Sequence, residues 1–291
     1  MLLALPELAQ VQRLESLAAR IETPCGDDGN MVWHRWGHGP PLVLLHGGSG
    51  SWTHWLRNIQ ALASHYTVFA ADLPGCGDSA LPRGRADADT IHPFVADGIA
   101  LLTGGEPVQL VAFSFGTLVA GFIAAERPEL VRQLHLVGLA GLGLTRPRLH
   151  LKSLAPEMNP AEREAVVRSN MESLMVLHPA TLDATALSLH DANLQRDRLR
   201  RRRISRTPVS VGLLPRWQCP VHAIWGRGDI LIRLVTPRLP ELLSGCDLRS
   251  LTLIDDAGHW VQYERPEAFN EVLLRGLAAA SQPTSSKESE C

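Results

Sequence analysis

Val108-Gln-Leu-Val-Ala-Phe-Ser-Phe-Gly-Thr-Leu-Val-Ala-Gly-Phe-Ile-Ala-Ala-Glu126 decides how this chain is read. Val108–Ala112 reads as a strand, and Phe115–Glu126 as a helix that Pro128 stops. Ser114 therefore stands at a strand-to-helix turn, where a nucleophile is held clear of the backbone. Crowding there demands small residues two before and two after the serine, and Ala112 and Gly116 supply them. The run is a variant of the G-x-S-x-G nucleophile elbow, with Ala in the first glycine position. The N-terminal N–H groups of the following helix favour negative charge developing near the serine. An ordinary serine N-cap is the competing explanation.

Outward from this stretch the chain alternates strands and helices. Pro41–Leu45 is a continuous apolar run, as for a strand buried on both faces. Tyr66–Ala71, Leu134–Val137, Val221–Trp225 and Leu248–Ile254 read as further strands. Helical patterns cover about 52–63, 90–102 and 266–278. Upstream, a short amphipathic helix over 7–20 precedes two strands, Arg20–Thr23 and Met31–Trp36, joined by a Gly26-Asp-Asp-Gly-Asn30 turn. Such alternation predicts an α/β fold, a mostly parallel sheet of about eight strands with helices on both faces. Residues 142–217 break the rhythm, being helix-like and Arg-rich. The expected organisation is a core over 1–141 and 218–280, an inserted helical cap over 142–217, and a polar, disordered tail over 281–291.

Three further segments carry chemistry. His46-Gly-Gly-Ser-Gly50 follows the Pro41–Leu45 strand, and its glycines permit close backbone approach. An oxyanion hole needs two N–H groups aimed at one oxygen. Those of Phe115, after the nucleophile, and Gly48, in this loop, are the candidates. Gly226-Arg-Gly-Asp229 and Gly258-His259-Trp260 each follow a strand. The order Ser114…Asp229…His259 is that of nucleophile, acid and base in this type of sheet, each past the C-terminal end of a strand. Asp255 and Asp256 are rival acids by nearness in sequence only. The Gly138–Leu144 loop offers no carboxylate. His46 is expected to brace the oxyanion loop, and His54, His135 and His222 to be packing or surface residues. Phe113 is expected in the pocket wall.

Nearly the whole chain outside 142–217 resembles the α/β-hydrolase superfamily, in its serine-nucleophile branch. Asp72-Leu-Pro-Gly-Cys-Gly-Asp-Ser79 resembles the family's loop after the fourth strand. Gly258-His-Trp-Val-Gln-Tyr-Glu264, with Pro266 and Phe269-Asn270, resembles the C-terminal signature of the meta-cleavage-product hydrolases, which cleave a carbon–carbon bond in a dienoate diketone acid. The resemblance implies Ser114, Asp229 and His259 as a triad, Gly48 and Phe115 as oxyanion donors, and Trp260 in the pocket wall. Two departures weigh against a dienoate substrate. Phe113 stands where those enzymes usually carry Asn, and the Gly48-Ser49-Gly50 loop lacks their extra Gly and Pro. Haloalkane dehalogenases and epoxide hydrolases are also similar, but need an Asp where this chain has Ser114.

Composition narrows the remaining classes. The 291 residues carry a formal charge of −2, so no basic excess is available to hold nucleic acid. Residues 146–216 nevertheless carry 13 basic against 7 acidic side chains. Seven of those arginines fall within Arg196–Arg206, which reads first as a solvated helix face. One of them reaching under the cap to hold a substrate carboxylate is the alternative. Five scattered cysteines form no metal-ligand spacing and suit reduced thiols in the cytoplasm. No run is long and apolar enough to span a bilayer. The expectation is a cytoplasmic enzyme needing no metal or cofactor and acting on a small molecule, without nucleic-acid or membrane partners. It would be a serine hydrolase of a carboxylic ester, with carboxylate-bearing small molecules among the candidate substrates. Carbon–carbon hydrolysis is the alternative reaction, and a non-catalytic ligand-binding protein on the same fold the alternative class.

Overall fold

The structure, a computed structural model, describes residues 6–27, 29–144, 149–199 and 202–279. Eight strands form one sheet in the order β1-β2-β4-β3-β5-β6-β7-β8. β1 (Ala19–Pro24) and β2 (Asn30–Trp36) make an antiparallel hairpin, and β2 pairs antiparallel with β4 (Thr67–Ala71). β3 (Pro41–Leu45), β5 (Val108–Phe113), β6 (Val131–Val137), β7 (Val221–Gly226) and β8 (Leu248–Ile254) continue from β4 in parallel. All eight strands expected from the sequence are present. Both faces of β5 are buried, which is why its residues read as an apolar run.

The helices are α1 (Pro6–Leu17), α2 (Ile59–Ala63), α3 (Ala88–Thr103), α4 (Phe115–Glu126), α5 (Pro160–Leu174), α6 (Ala184–Gln195), α7 (Val209–Leu213), α8 (Leu239–Leu242), α9 (Val261–Glu264) and α10 (Pro266–Ala279). α3 and α4 pack on one face in a core with Leu110, Ile123 and Leu134. α2 and α10 pack on the other with Leu44, Val68 and Phe269. Residues 142–217 contain α5, α6 and α7 and no strand among the described residues. α5 and α6 join the second core through Val167, Met171 and Ala186. The chain goes from β3 outward to β4 and then back across to β5. The C-terminal ends of β3 and β5 thus flank the reversal point, where open α/β sheets form their crevice.

Two local expectations need correction. The helical pattern over 52–63 splits into a 3-10 turn, Trp52–Trp55, and the short α2. Asp72 Oδ1 accepts the Trp52 N–H at 2.9 Å, and the Asn58 amide donates to Gln262 O and Asn270 Oδ1. These tertiary bonds override the local helical preference. Nor is the arginine run a solvated helix face. α6 ends at Gln195, and the described residues beyond it form a non-helical strap ending in a 3-10 turn at Ile204–Arg206. Like charges at helical spacing repel, and nearby acceptors take the cations instead. Arg196 pairs with Asp78, and Arg198 donates to the carbonyls of Gly77 and Ser79. Arg200 and Arg201, like the tail over 281–291, lie outside the described residues.

Candidate active site

The turn between β5 and α4 holds Ser114 at φ 49°, in the left-handed region that serine seldom occupies. The bend brings Gly116 so close to the end of β3 that a Cβ there would stand 2.5 Å from the His46 carbonyl oxygen. Only glycine fits without opening the turn. Ser114 occupies the N-cap position of α4, yet its side chain makes no capping hydrogen bond. Its Oγ lies instead 2.8 Å from Nε2 of His259. This disposes of the N-cap explanation.

His259 follows β8 and is buried. Its Nδ1 stands 2.7 Å from Oδ2 of Asp229, whose other oxygen accepts the Leu231 N–H at 2.8 Å. Asp229 has only 1% of its surface exposed. With Nδ1–H donated to the carboxylate, Nε2 is left as an acceptor for the serine hydroxyl. Gly138, at φ 60°, gives the imidazole room, since a Cβ would lie 2.9 Å from its Cε1. Asp255 and Asp256 are exposed, one paired with Arg227 and the other 4.0 Å from His178. They take no part in this chain of contacts.

The loop after β3 lies beside the serine. His46 Nδ1 donates to Gly47 O at 2.7 Å, while its Nε2 accepts the Leu73 N–H at 2.9 Å. The Gly47 N–H in turn points at His54 Nδ1, at 3.2 Å. Burial holds both imidazoles below their ordinary pKa, that of His54 well below, so both remain neutral braces. The N–H groups of Gly48 and Phe115 donate to no acceptor among the described residues.

Ser114, His259, Gly48 and Phe115 open onto one cavity of 240 Å³. Phe113 also lines it, with its ring centroid 5.0 Å from that of His259. Leu139, Leu142, Met175 and Ile232 make an apolar wall, while Arg202 and Arg206 bring cations to it. Trp260 does not line the cavity, contrary to the sequence expectation. It is 1% exposed, stacked on Tyr263 at 4.1 Å, with its indole N–H donated to His54 O. The Trp260 N–H donates to Met175 O at 2.6 Å as α9 begins, and the side chain turns into the second core.

Several residues that organise the site had no role assigned from sequence, although one of them, Glu264, closes the Gly258–Glu264 run. The buried Glu264 carboxylate accepts the N–H groups of His178 and Gly258, both at 2.7 Å, tying the loop after α5 to the His259 loop. Arg202 and Asp197 reach Ser49, in the loop after β3, from the strap. Spacing alone distinguishes neither from the neighbouring charges.

Comparison with known families matches residues 42–272 to the alpha/beta hydrolase family. The chain is 31% identical over 258 residues to the dihydrolipoyllysine-residue acetyltransferase component of an acetoin cleaving system from Pseudomonas putida, covering 82% of this chain and 64% of that longer protein. It is 26% identical to a 2-hydroxy-6-oxononadienedioate/2-hydroxy-6-oxononatrienedioate hydrolase 2 from Pseudomonas putida, over 80% of this chain and 86% of that one. Among solved structures, the naproxen esterase of Bacillus subtilis superposes with a TM-score of 0.69 at 18% identity, covering 93% of this chain and 96% of that one. With the family match running from β3 into α10, the chain belongs to the alpha/beta hydrolase family.

Proposed function

We propose that this protein hydrolyses a carboxylic ester of a small molecule through an acyl-enzyme on Ser114. The observation that carries the reading is the unbroken line from Ser114 Oγ through His259 to Asp229, at 2.8 and 2.7 Å. Ser114 Oγ attacks the acyl carbon as His259 Nε2 takes its proton. Asp229 holds the imidazole and stabilises its charged form. The carbonyl oxygen becomes an oxyanion, for which the N–H groups of Gly48 and Phe115 are available. His259 then protonates the departing alkoxide, water attacks the acyl-enzyme, and the acid leaves. Each step uses the chain's own residues and water.

Residues 142–217 serve in this reading as a cap, since Leu142, Met175, Arg202 and Arg206 from it line the cavity. The apolar wall suits a short acyl chain, and Arg206 is the cation placed to meet a substrate carboxylate. Phe113 beside the nucleophile supports the ester over a dienoate. Carbon–carbon hydrolysis is the second reading, favoured by the relative named for it. A panel of p-nitrophenyl esters beside a dienoate diketone acid tests the choice, with Ser114→Ala as control. Turnover of esters by wild type, lost by several orders of magnitude in Ser114→Ala, is the expected result. Turnover of the dienoate alone would replace the ester reading, and an undiminished Ser114→Ala would end both.

A further inference from the structure

Ser49 lies next to Gly48 with φ 50°, a second non-glycine residue near the serine in the left-handed region. Such a conformation persists only where its surroundings hold it. Two side chains from the strap do so, across 148 and 153 residues of sequence. The Ser49 hydroxyl donates to Asp197 Oδ2 at 2.7 Å and accepts from Arg202 Nη1 at 3.2 Å. Arg202 Nη2 closes the triangle onto Asp197 Oδ2. The guanidinium carbon sits 5.3 Å from the Phe115 ring centroid, and Nη1 is 3.3 Å from where a Cβ on Gly48 would stand. Arg202 therefore lies over the Phe115 ring and beside Gly48, the two residues whose N–H groups remain unused.

The strap is itself pinned on either side of this triangle. The Arg198 N–H donates to Gly75 O at 2.8 Å, and the Arg203 and Ile204 N–H groups donate to Asp87 Oδ2 at 2.5 and 3.1 Å. On the opposite flank, His46 and His54 fix Gly47 from the sheet side. Gly48 lies between the two anchors. Having no side chain, it has a wide choice of backbone angles, and the direction of its N–H depends on its neighbours. Arg202 is poorly placed to act as a substrate anchor, since Asp197 offsets its charge and both terminal nitrogens are engaged.

We propose that Asp197, Arg202 and Ser49 form a positioning clamp through which the segment between β6 and β7 sets the Gly48 N–H for the oxyanion. This rests on Ser114 acting as the nucleophile. The consequence is that the oxyanion hole is complete only while the strap is docked, so that one segment both roofs the cavity and finishes the catalytic geometry.

The test measures p-nitrophenyl butyrate hydrolysis and the rate of labelling by a fluorophosphonate, which also places an oxygen in the hole. Ser49→Gly tolerates the φ 50° backbone and removes the hydroxymethyl side chain that meets Asp197 and Arg202. Ser49→Gly and Asp197→Asn should each lower kcat by about 10- to 100-fold, less than or comparable to deleting an oxyanion donor outright. KM should stay within about threefold and labelling should slow in parallel with kcat. The double variant should be no worse than about threefold below the weaker single one, because the groups act as a unit. A packing role would instead lower the unfolding temperature and leave kcat effects multiplicative. Unchanged kcat in Ser49→Gly and Asp197→Asn, with Ser114→Ala inactive, overturns the clamp alone. A rise in KM at constant kcat overturns it in favour of substrate anchoring. An active Ser114→Ala overturns the nucleophile assignment and the clamp with it.

Discussion

Replacing Asp229 by asparagine is expected to reduce kcat by about 10⁴-fold, the loss seen for the same change in the best-studied triad. The structure dictates the mechanism of the loss. Asp229 is held at two points: Oδ1 accepts the Leu231 N–H at 2.8 Å and Oδ2 faces His259 Nδ1 at 2.7 Å. An asparagine in this buried position must present its carbonyl to Leu231, because two donors cannot face each other. Its NH2 group then points at His259 Nδ1. The imidazole answers by accepting there and carrying its proton on Nε2, the atom facing Ser114 Oγ. The tautomer is then wrong for abstracting the serine proton, although no heavy atom need move. At 1.36 kcal/mol per decade the loss amounts to about 5 kcal/mol of transition-state stabilisation. Steady-state hydrolysis of a p-nitrophenyl ester measures it, beside unfolding curves that establish an intact fold. A kcat within about tenfold of wild type would refute the reasoning, the more so if Asp255→Asn or Asp256→Asn were inactive.

Acidification should destabilise the fold from about pH 6.5 downward. Burial depresses the folded-state pKa values of His46, His54, His135 and His190, that of His190 to about 4. The unfolded chain takes up these protons first, so stability is full above the unfolded value of about 6.5 and is lost as pH falls toward the folded values, by at most about 1.4 kcal/mol per pH unit for each histidine. Burial raises Asp72, which acts in the opposite sense, but from a lower reference value of 3.8. Urea unfolding midpoints between pH 7 and 5 check this, and a flat or rising profile on acidification contradicts it. Trp260→Phe should cost about 1–3 kcal/mol of stability while leaving kcat/KM for p-nitrophenyl butyrate within about twofold. A collapse of kcat/KM at unchanged stability would return Trp260 to the pocket wall.

Legibility followed the range of the interactions. The elbow was readable because its demands are local: Ala112 and Gly116 must be small within two residues of Ser114, and the strand and helix around it declare themselves by periodicity. Strand β8 was legible to the residue, and the start of β6 only to within three, since Val131 and Gln133 lie where periodicity fades into the preceding turn. Residues 52–63 defeated the same reading because the bond that tightens their first turn comes from Asp72, 20 positions away. Trp260 was misplaced because a family resemblance carries over a position in the sequence without the direction its side chain takes in this chain. Its indole is set by Tyr263 and by His54 O.

The sequence by itself determined the alternation of strands and helices, the elbow, and the chain order of serine, aspartate and histidine, because each is written in short-range pattern or in succession along the chain. It favoured Asp229 over Asp255 and Asp256 without fixing the contact with His259, and it left open which of seven arginines enters the cavity and what holds Ser49. Those are questions of distance between residues up to 153 positions apart. Only the tertiary structure decided them. It buried Asp229 against the imidazole while leaving Asp255 and Asp256 in water, and it laid Arg202 across the Gly48 loop. Charge and residue type are properties of the chain, but pairing and desolvation exist only once the chain has closed on itself.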